Sequence, residues 1–111
     1  MPSLRSIVFH VRAREEVRAL PKDVRFRLGR ALLALQHSFN LCMPLSRPMA
    51  IVAPGVEELR LRDENRHYRV FYYRKAGEGI LVPRAFHKKS GPTPGSEIAI
   101  ARRRLKEMMH E

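Results

Sequence analysis

Residues 57–86 read EELRLRDENRHYRVFYYRKAGEGILVPRAF, and this stretch decides the fold. In Glu57–Arg62 apolar and charged residues alternate, with Leu59 and Leu61 on one face and Glu58, Arg60 and Arg62 on the other, as a half-buried strand requires. His67–Arg74 is aromatic-rich and reads as a second strand. Between them Asp63-Glu64-Asn65-Arg66 is wholly polar, as a hairpin loop should be. Gly79–Phe86 is a third strand, after the turn Lys75-Ala76-Gly77-Glu78. Pro83 has no N–H to give to a ladder, which predicts an edge position or a bulge there. Connections this short predict an antiparallel meander.

Upstream, Val24, Leu28, Ala31, Leu32, Leu35 and Phe39 recur at spacings of three and four, which predicts one amphipathic helix over residues 22–39. Pro21 fits its first position, and Lys22, Arg25, Arg27 and Arg30 leave its outer face basic. Residues 4–11 are β-branched and aromatic and predict a strand. Glu15–Leu20 is a short helix before the proline. Residues 40–55, with three prolines and a glycine, read as an irregular connector with a short extended piece at Ala50–Ala53. Downstream, residues 87–93 are a basic loop. Thr93 is the expected N-cap and Pro94 the first residue of a final helix with Ile98, Ala101, Leu105 and Met108 on its inner face. The expected class is α+β, in the order β-α-α-β-β-β-α, as a two-layer domain with helices covering one face of an antiparallel sheet. One domain over residues 1–111 is expected from the length.

The charge bounds the function. Lys and Arg number 22 against 11 acidic residues, a net +11. The excess is distributed: residues 1–54 hold 9 basic and 3 acidic residues, residues 55–111 hold 13 and 8. A basic tail would be concentrated at one end, so the basic surface belongs to the fold, and it favours polyanionic partners. The single cysteine, Cys42, allows no internal disulfide and no cysteine-rich zinc site, and reads as a core or linker thiol. The longest apolar runs, Ala31–Leu35 and Met49–Ala53, are far shorter than the roughly 20 residues of a membrane span. With no signal-peptide core near the N-terminus, the expected location is cytoplasmic and no membrane partner is expected.

No Walker loop, G-x-G-x-x-G, H-E-x-x-H or paired C-x-x-C occurs, and the histidines His10, His37, His67, His87 and His110 lack metal-ligand spacing, so neither metal nor cofactor is expected. What remains is a set of cations and aromatics on the strands: Arg60, Arg69 and Arg84 on successive strands, His87, Lys88 and Lys89 just past the last, and Tyr68, Tyr72 and Tyr73 in the middle. Metal-free RNA cleavage uses such groups. The 2′-hydroxyl must lose a proton, the phosphate gains charge, and the leaving 5′-oxygen needs a proton or a cation. Aromatic rings can hold unpaired bases. Each residue also has a plainer role. The tyrosines can pack a core with hydroxyls at its rim. Arg60 and Arg62 can pair with Glu57 or Glu58. His67 can be an ordinary hairpin residue, and Lys88 and Lys89 a solvated turn.

From Gly55 to Leu105 the chain resembles the HigB-type, phage-derived branch of the RelE/ParE toxins. The matching residues are Glu58-Leu59-Arg60, Tyr68-Arg69-Val70-Phe71-Tyr72, Phe86-His87-Lys88-Lys89-Ser90 and Thr93-Pro94-Gly95-Ser96-Glu97-Ile98 followed by Ala101-Arg102. The resemblance implies the toxin of a type II toxin–antitoxin system, a metal-independent and ribosome-dependent mRNA endonuclease neutralised by a helix-turn-helix antitoxin. It implies that Arg60 and Arg69 hold RNA phosphates and that Lys88 and Lys89 steady the scissile phosphate. His87 is added here as acid or base, on its chemistry. Arg62, Tyr68, Tyr73, Arg84 and Phe86 are the expected RNA-binding residues. Two alternatives stay open on the same fold: a non-enzymatic gyrase inhibitor, and a phage-derived nucleic-acid-binding module without catalysis.

Overall fold

The computed structural model describes residues 4–77 and 79–110; Glu78 of the expected turn, Met1–Ser3 and Glu111 lie outside it. The chain runs β1 (Ser6–Phe9), α1 (Val11–Arg18), α2 (Lys22–Gln36), β2 (Ser46–Pro48), β3 (Val56–Arg62), β4 (His67–Arg74), β5 (Gly79–Lys88), α3 (Gly95–Met109). The strands form one sheet in the order β1-β5-β4-β3-β2. The β3–β4–β5 meander is antiparallel, as its short connections predict.

Three features depart from the expectation. First, the sheet is mixed: β1 lies parallel to β5, pairing Ser6–Phe9 with Gly79–Val82. The two backbones approach so closely that a Cβ at Gly79 would lie 2.8 Å from the Ser6 carbonyl oxygen, so only glycine fits there. Second, the extended piece of the connector is β2 at Ser46–Pro48, antiparallel to β3, and not Ala50–Ala53, whose residues turn. Ser46 is 1 % exposed, and its hydroxyl lies 2.7 Å from the Tyr72 hydroxyl and donates to Glu57. Those polar bonds hold a strand too short to show a hydropathy pattern. Third, the helices cover both faces. Val24, Leu28, Ala31, Leu32 and Leu35 of α2 pack on Leu59, Leu61, Tyr68, Val70 and Tyr72, while Ala101, Leu105 and Met108 of α3 pack on Val56, Phe71, Leu81 and Phe86. Successive β4 residues serve opposite clusters because successive strand side chains point to opposite faces.

Pro83 sits at a bulge. Between the pairs Phe71↔Arg84 and Tyr73↔Leu81, β5 advances one residue more than β4. The bulge leaves Pro83 outside regular pairing and lets a buried interior strand carry a residue without an N–H. The helix starts lie one residue later than predicted. Pro21 and Pro94 are the N-caps, in extended backbone, and their carbonyls accept the first helical bonds. Thr93 does not cap α3; its hydroxyl donates instead to the Glu58 carboxylate at 2.5 Å. The short N-terminal helix begins earlier than expected, at Val11, because His10 Nδ1 caps it by accepting from Arg12 N.

Gly29 stands in the middle of α2, exposed, with open space where a Cβ would go. Glycine costs about 1 kcal/mol relative to alanine in a helix interior. Gly29→Ala should therefore raise stability by up to about that amount, read as an upward shift of the denaturation midpoint at constant m.

Candidate nucleic-acid interface

The strand register sorts the charged residues onto one face. Arg62, His67 and Lys88 lie side by side across β3, β4 and β5; Arg60, Arg69 and Phe86 form the next row. In the row after, Glu58 pairs with Phe71 on β4 and with Arg47 on β2. This face is the one α3 covers, but α3 reaches only the end bearing Val56, Phe71, Leu81 and Phe86. The other end carries the cations.

Glu58 anchors them. It is fully buried, with Arg47 Nε 3.0 Å from one carboxylate oxygen and Arg69 Nε 3.6 Å from the same oxygen. Thr93 donates to the other oxygen. The Lys88 ammonium donates to the Gly91 carbonyl. These two bonds fold the 89–94 loop onto the edge of the cation face.

One buried carboxylate does not neutralise the group. Burial lowers the pKa of Arg69, Glu58 opposes the shift, and Arg60 and Arg47 add to it. Burial likewise lowers the pKa of Lys88, and Arg69 adds to the shift. His67 is held below the usual imidazole value, by desolvation first and then by Arg69, Arg62, Lys88 and Arg60. The Nε atoms of Arg60 and Arg69 are buried without a hydrogen-bond partner among the described residues. Positive groups pressed together, with donors left over, make a surface whose energy falls when an anion arrives.

Of the expected site residues, Arg60, Arg62, Arg69, Phe86 and Lys88 share this face. Phe86 is 7 % exposed and stacks at 5.6 Å on Phe71, so it is a wall of the core more than a platform for a base. Lys89 is exposed, one residue past the end of β5. The others lie elsewhere. His87 and Tyr68 are register partners on the opposite face, their rings 6.4 Å apart, with His87 Nε2 3.4 Å from Arg66 Nη1. Tyr68 is 4 % exposed and donates to Asp63, so it offers no free ring to a base. Tyr73 packs at the far end beside Gly55, beyond Phe71. Arg84 is a structural cation. It binds Glu97 at 2.6 Å and also Glu16, and these carboxylates raise its pKa despite its burial.

Sequence reading put Glu58 on the face of Arg60 and Arg62 but expected it to pair with those arginines, whereas it pairs with Arg47 and Arg69. It missed Arg47 and His67 as members of the face, although alternation held the signal for His67, which has the parity of Arg69. Arg47 carried none, because β2 is too short to recognise. Among the described residues no group of three or more His, Cys, Asp or Glu side chains is placed to hold a metal ion, and no helix is long and apolar enough to cross a membrane.

No curated protein sequence matches the chain. A double-arginine mutant of the E. coli toxin RelE in the free state is similar in structure, with a TM-score of 0.61 at 20% identity, covering 96% of this chain and 99% of that one. At that identity the likeness concerns the fold. The family model of phage-derived Gp49-like proteins matches residues 15–106, a span that includes every strand but β1 and all of the cation face. The chain belongs to the family of phage-derived Gp49-like proteins, and its fold is like that of RelE.

Proposed function

We propose that this protein is a one-domain toxin of a type II toxin–antitoxin system that cleaves mRNA on the ribosome without a metal and is neutralised by a helix-turn-helix antitoxin. The observation that carries the reading is the cation face: His67, Lys88, Arg69 and Arg60 in two adjacent rows, with the His67 pKa lowered by desolvation and then by the neighbouring cations. His67 and Lys88 are directly opposed on the same face, so their side chains project side by side from adjacent strands and can flank one phosphodiester.

In the proposed reaction the 2′-hydroxyl gives its proton to neutral His67 and its oxygen bonds to phosphorus. The P–O5′ bond breaks, and the 5′-oxygen takes a proton from Lys88. The products are a 2′,3′-cyclic phosphate and a 5′-hydroxyl. Arg69 and Arg60 stabilise the extra negative charge of the pentacoordinate phosphorus by their fixed positive charge in the row beside His67 and Lys88. His67 takes the acid–base role first assigned to His87, because His67 stands beside Lys88 on the cation face and His87 faces away from it.

The test is to induce the protein in cells and map RNA 5′ ends on translated messages. New ends within reading frames, absent with Lys88→Ala, are the expected result. Intact messages with arrested replication would replace this reading by gyrase inhibition, and intact messages with normal growth by a simple binding module.

The pH profile gives a second check. A base held below the ordinary imidazole value of about 6.5 should place the acidic limb of kcat/KM below that pH, and Arg62→Ser should move the limb upward by removing one of the repelling cations. The same depression affects stability. The folded state binds the His67 proton less readily than the unfolded state, so the associated stability is present above about pH 6.5 and is lost as pH falls through the lower folded value. His67→Gln should flatten that part of the stability profile.

A further inference from the structure

β2 covers β3 only through the pairs ending at Ser46↔Leu59, with one further bond from Arg60 N to the Leu45 carbonyl. Past that point the outer edge of β3 is open. Helix α2 stands across from it, tied at one end by Arg27 donating to the Arg62 carbonyl at 2.8 Å. The gap is a groove with an apolar floor that includes Ala34, Leu41, Pro44 and Leu61, and a rim of Arg27, Arg30, Arg60 and Arg62. His67 and Arg69 line it as well, so it opens directly onto the cation face.

We propose that this groove is a second RNA subsite, which takes one unpaired nucleotide flanking the scissile phosphate, with its base on the apolar floor and its phosphate on the arginine rim. The proposal rests on the RNA-cleaving reading of the cation face and extends it around the sheet edge.

Three observations support this occupant. An unpaired base has flat apolar faces and carries a phosphate, and the groove has the matching pair of surfaces. The buried Nε of Arg60 has no hydrogen-bond partner among the described residues, and Arg60 lines the groove. Arg27 and Arg30 reach the groove from α2, away from the sheet cations, and Arg30 makes no ion pair among the described residues. A strand lying on His67 and Lys88 would therefore meet a continuous basic path over the β3 edge.

The experiment measures binding of a fluorescent 2′-fluoro hexanucleotide, which cannot be cut through a 2′-hydroxyl, and of the corresponding dinucleotide. The variants are Arg30→Ser, Ala34→Phe, which fills the floor, and Arg103→Ser, which removes another exposed charge, from α3. The expected result is a hexanucleotide affinity lowered about tenfold by Arg30→Ser and by Ala34→Phe but no more than about twofold by Arg103→Ser, with the dinucleotide affected alike by all three. Equal effects of Arg30→Ser and Arg103→Ser on the hexanucleotide overturn the groove and leave the cation face standing. No hexanucleotide binding by the parent overturns both. Should Ala34→Phe fail to fold, Arg30→Ser decides, since Arg30 is exposed and its loss opens no cavity.

Discussion

Glu16→Ala is expected to destabilise the protein by about 2–3 kcal/mol, less than the roughly 3–5 kcal/mol of breaking a fully buried ion pair because Glu16 itself is half-buried. Glu16 sits on α1 and binds three groups at once: the Arg84 guanidinium, the Ala85 amide at 3.2 Å and Arg104 at 2.8 Å. Arg104 is 7 % exposed and also donates to the Pro83 carbonyl. The carboxylate thus joins α1 and α3 to the bulged stretch of β5. Without it, Arg104 is a buried cation with no carboxylate, while Arg84 keeps Glu97. Loss of a 1 kcal/mol interaction shifts the midpoint of a domain this size by roughly 4–8 °C, so the variant should melt at least about 10 °C below the parent. Thermal denaturation followed by circular dichroism measures this. A shift under about 5 °C would mean that water replaces Glu16 and that the cluster is peripheral.

Lys88→Ala is expected to lower RNA cleavage by about 10²–10³-fold while leaving the melting temperature within a few degrees of the parent, the range seen when a general acid or a charge at a developing anion is removed. Lys88 is half-buried at the end of β5, and what its ammonium gives the fold is one bond to the Gly91 carbonyl, which water can replace. Its lowered pKa reflects burial and then Arg69, so the native structure holds the charge at some cost. Such a group contributes little to folding and much to a bound phosphate. The measurement is single-turnover cleavage of a defined message on ribosomes, together with the melt. Cleavage within threefold of the parent would remove Lys88 from the reaction. Glu58→Ala is the control with the opposite signature: it strands the buried Arg69 and should lower stability and cleavage together.

Much of this molecule was legible in the chain because it depends on local rules. The alternation in residues 57–62, the three- and four-residue spacing in α2 and α3, and the polar 63–66 loop each follow from backbone geometry acting over a few residues. Those rules yielded the three-strand meander, the two long helices and the presence of Arg60 and Arg69 on adjacent strands; His87 and Lys88, read as the start of a basic loop, proved to be the last two residues of β5. Net charge, a sum over residues, needs no fold.

Tertiary structure decided the rest. Which edge β1 would join was not written in four residues; it follows from Ile7 and Phe9 packing on the α2 cluster and from a glycine at residue 79 that lets the backbones meet. The partition of His67 from His87 depended on register across β4 and β5, and the bulge at Pro83 shifts that register by one residue, which exchanges faces for everything on one side of it. Arg84 looked like a free cation until Glu16, 68 residues earlier in the chain, proved to be its partner. By itself the sequence determined which groups the protein has and which local elements carry them. Only the folded chain decided which cations are neutralised and which are left facing outward, because an ion pair between distant residues depends on distance in space and not on separation along the chain.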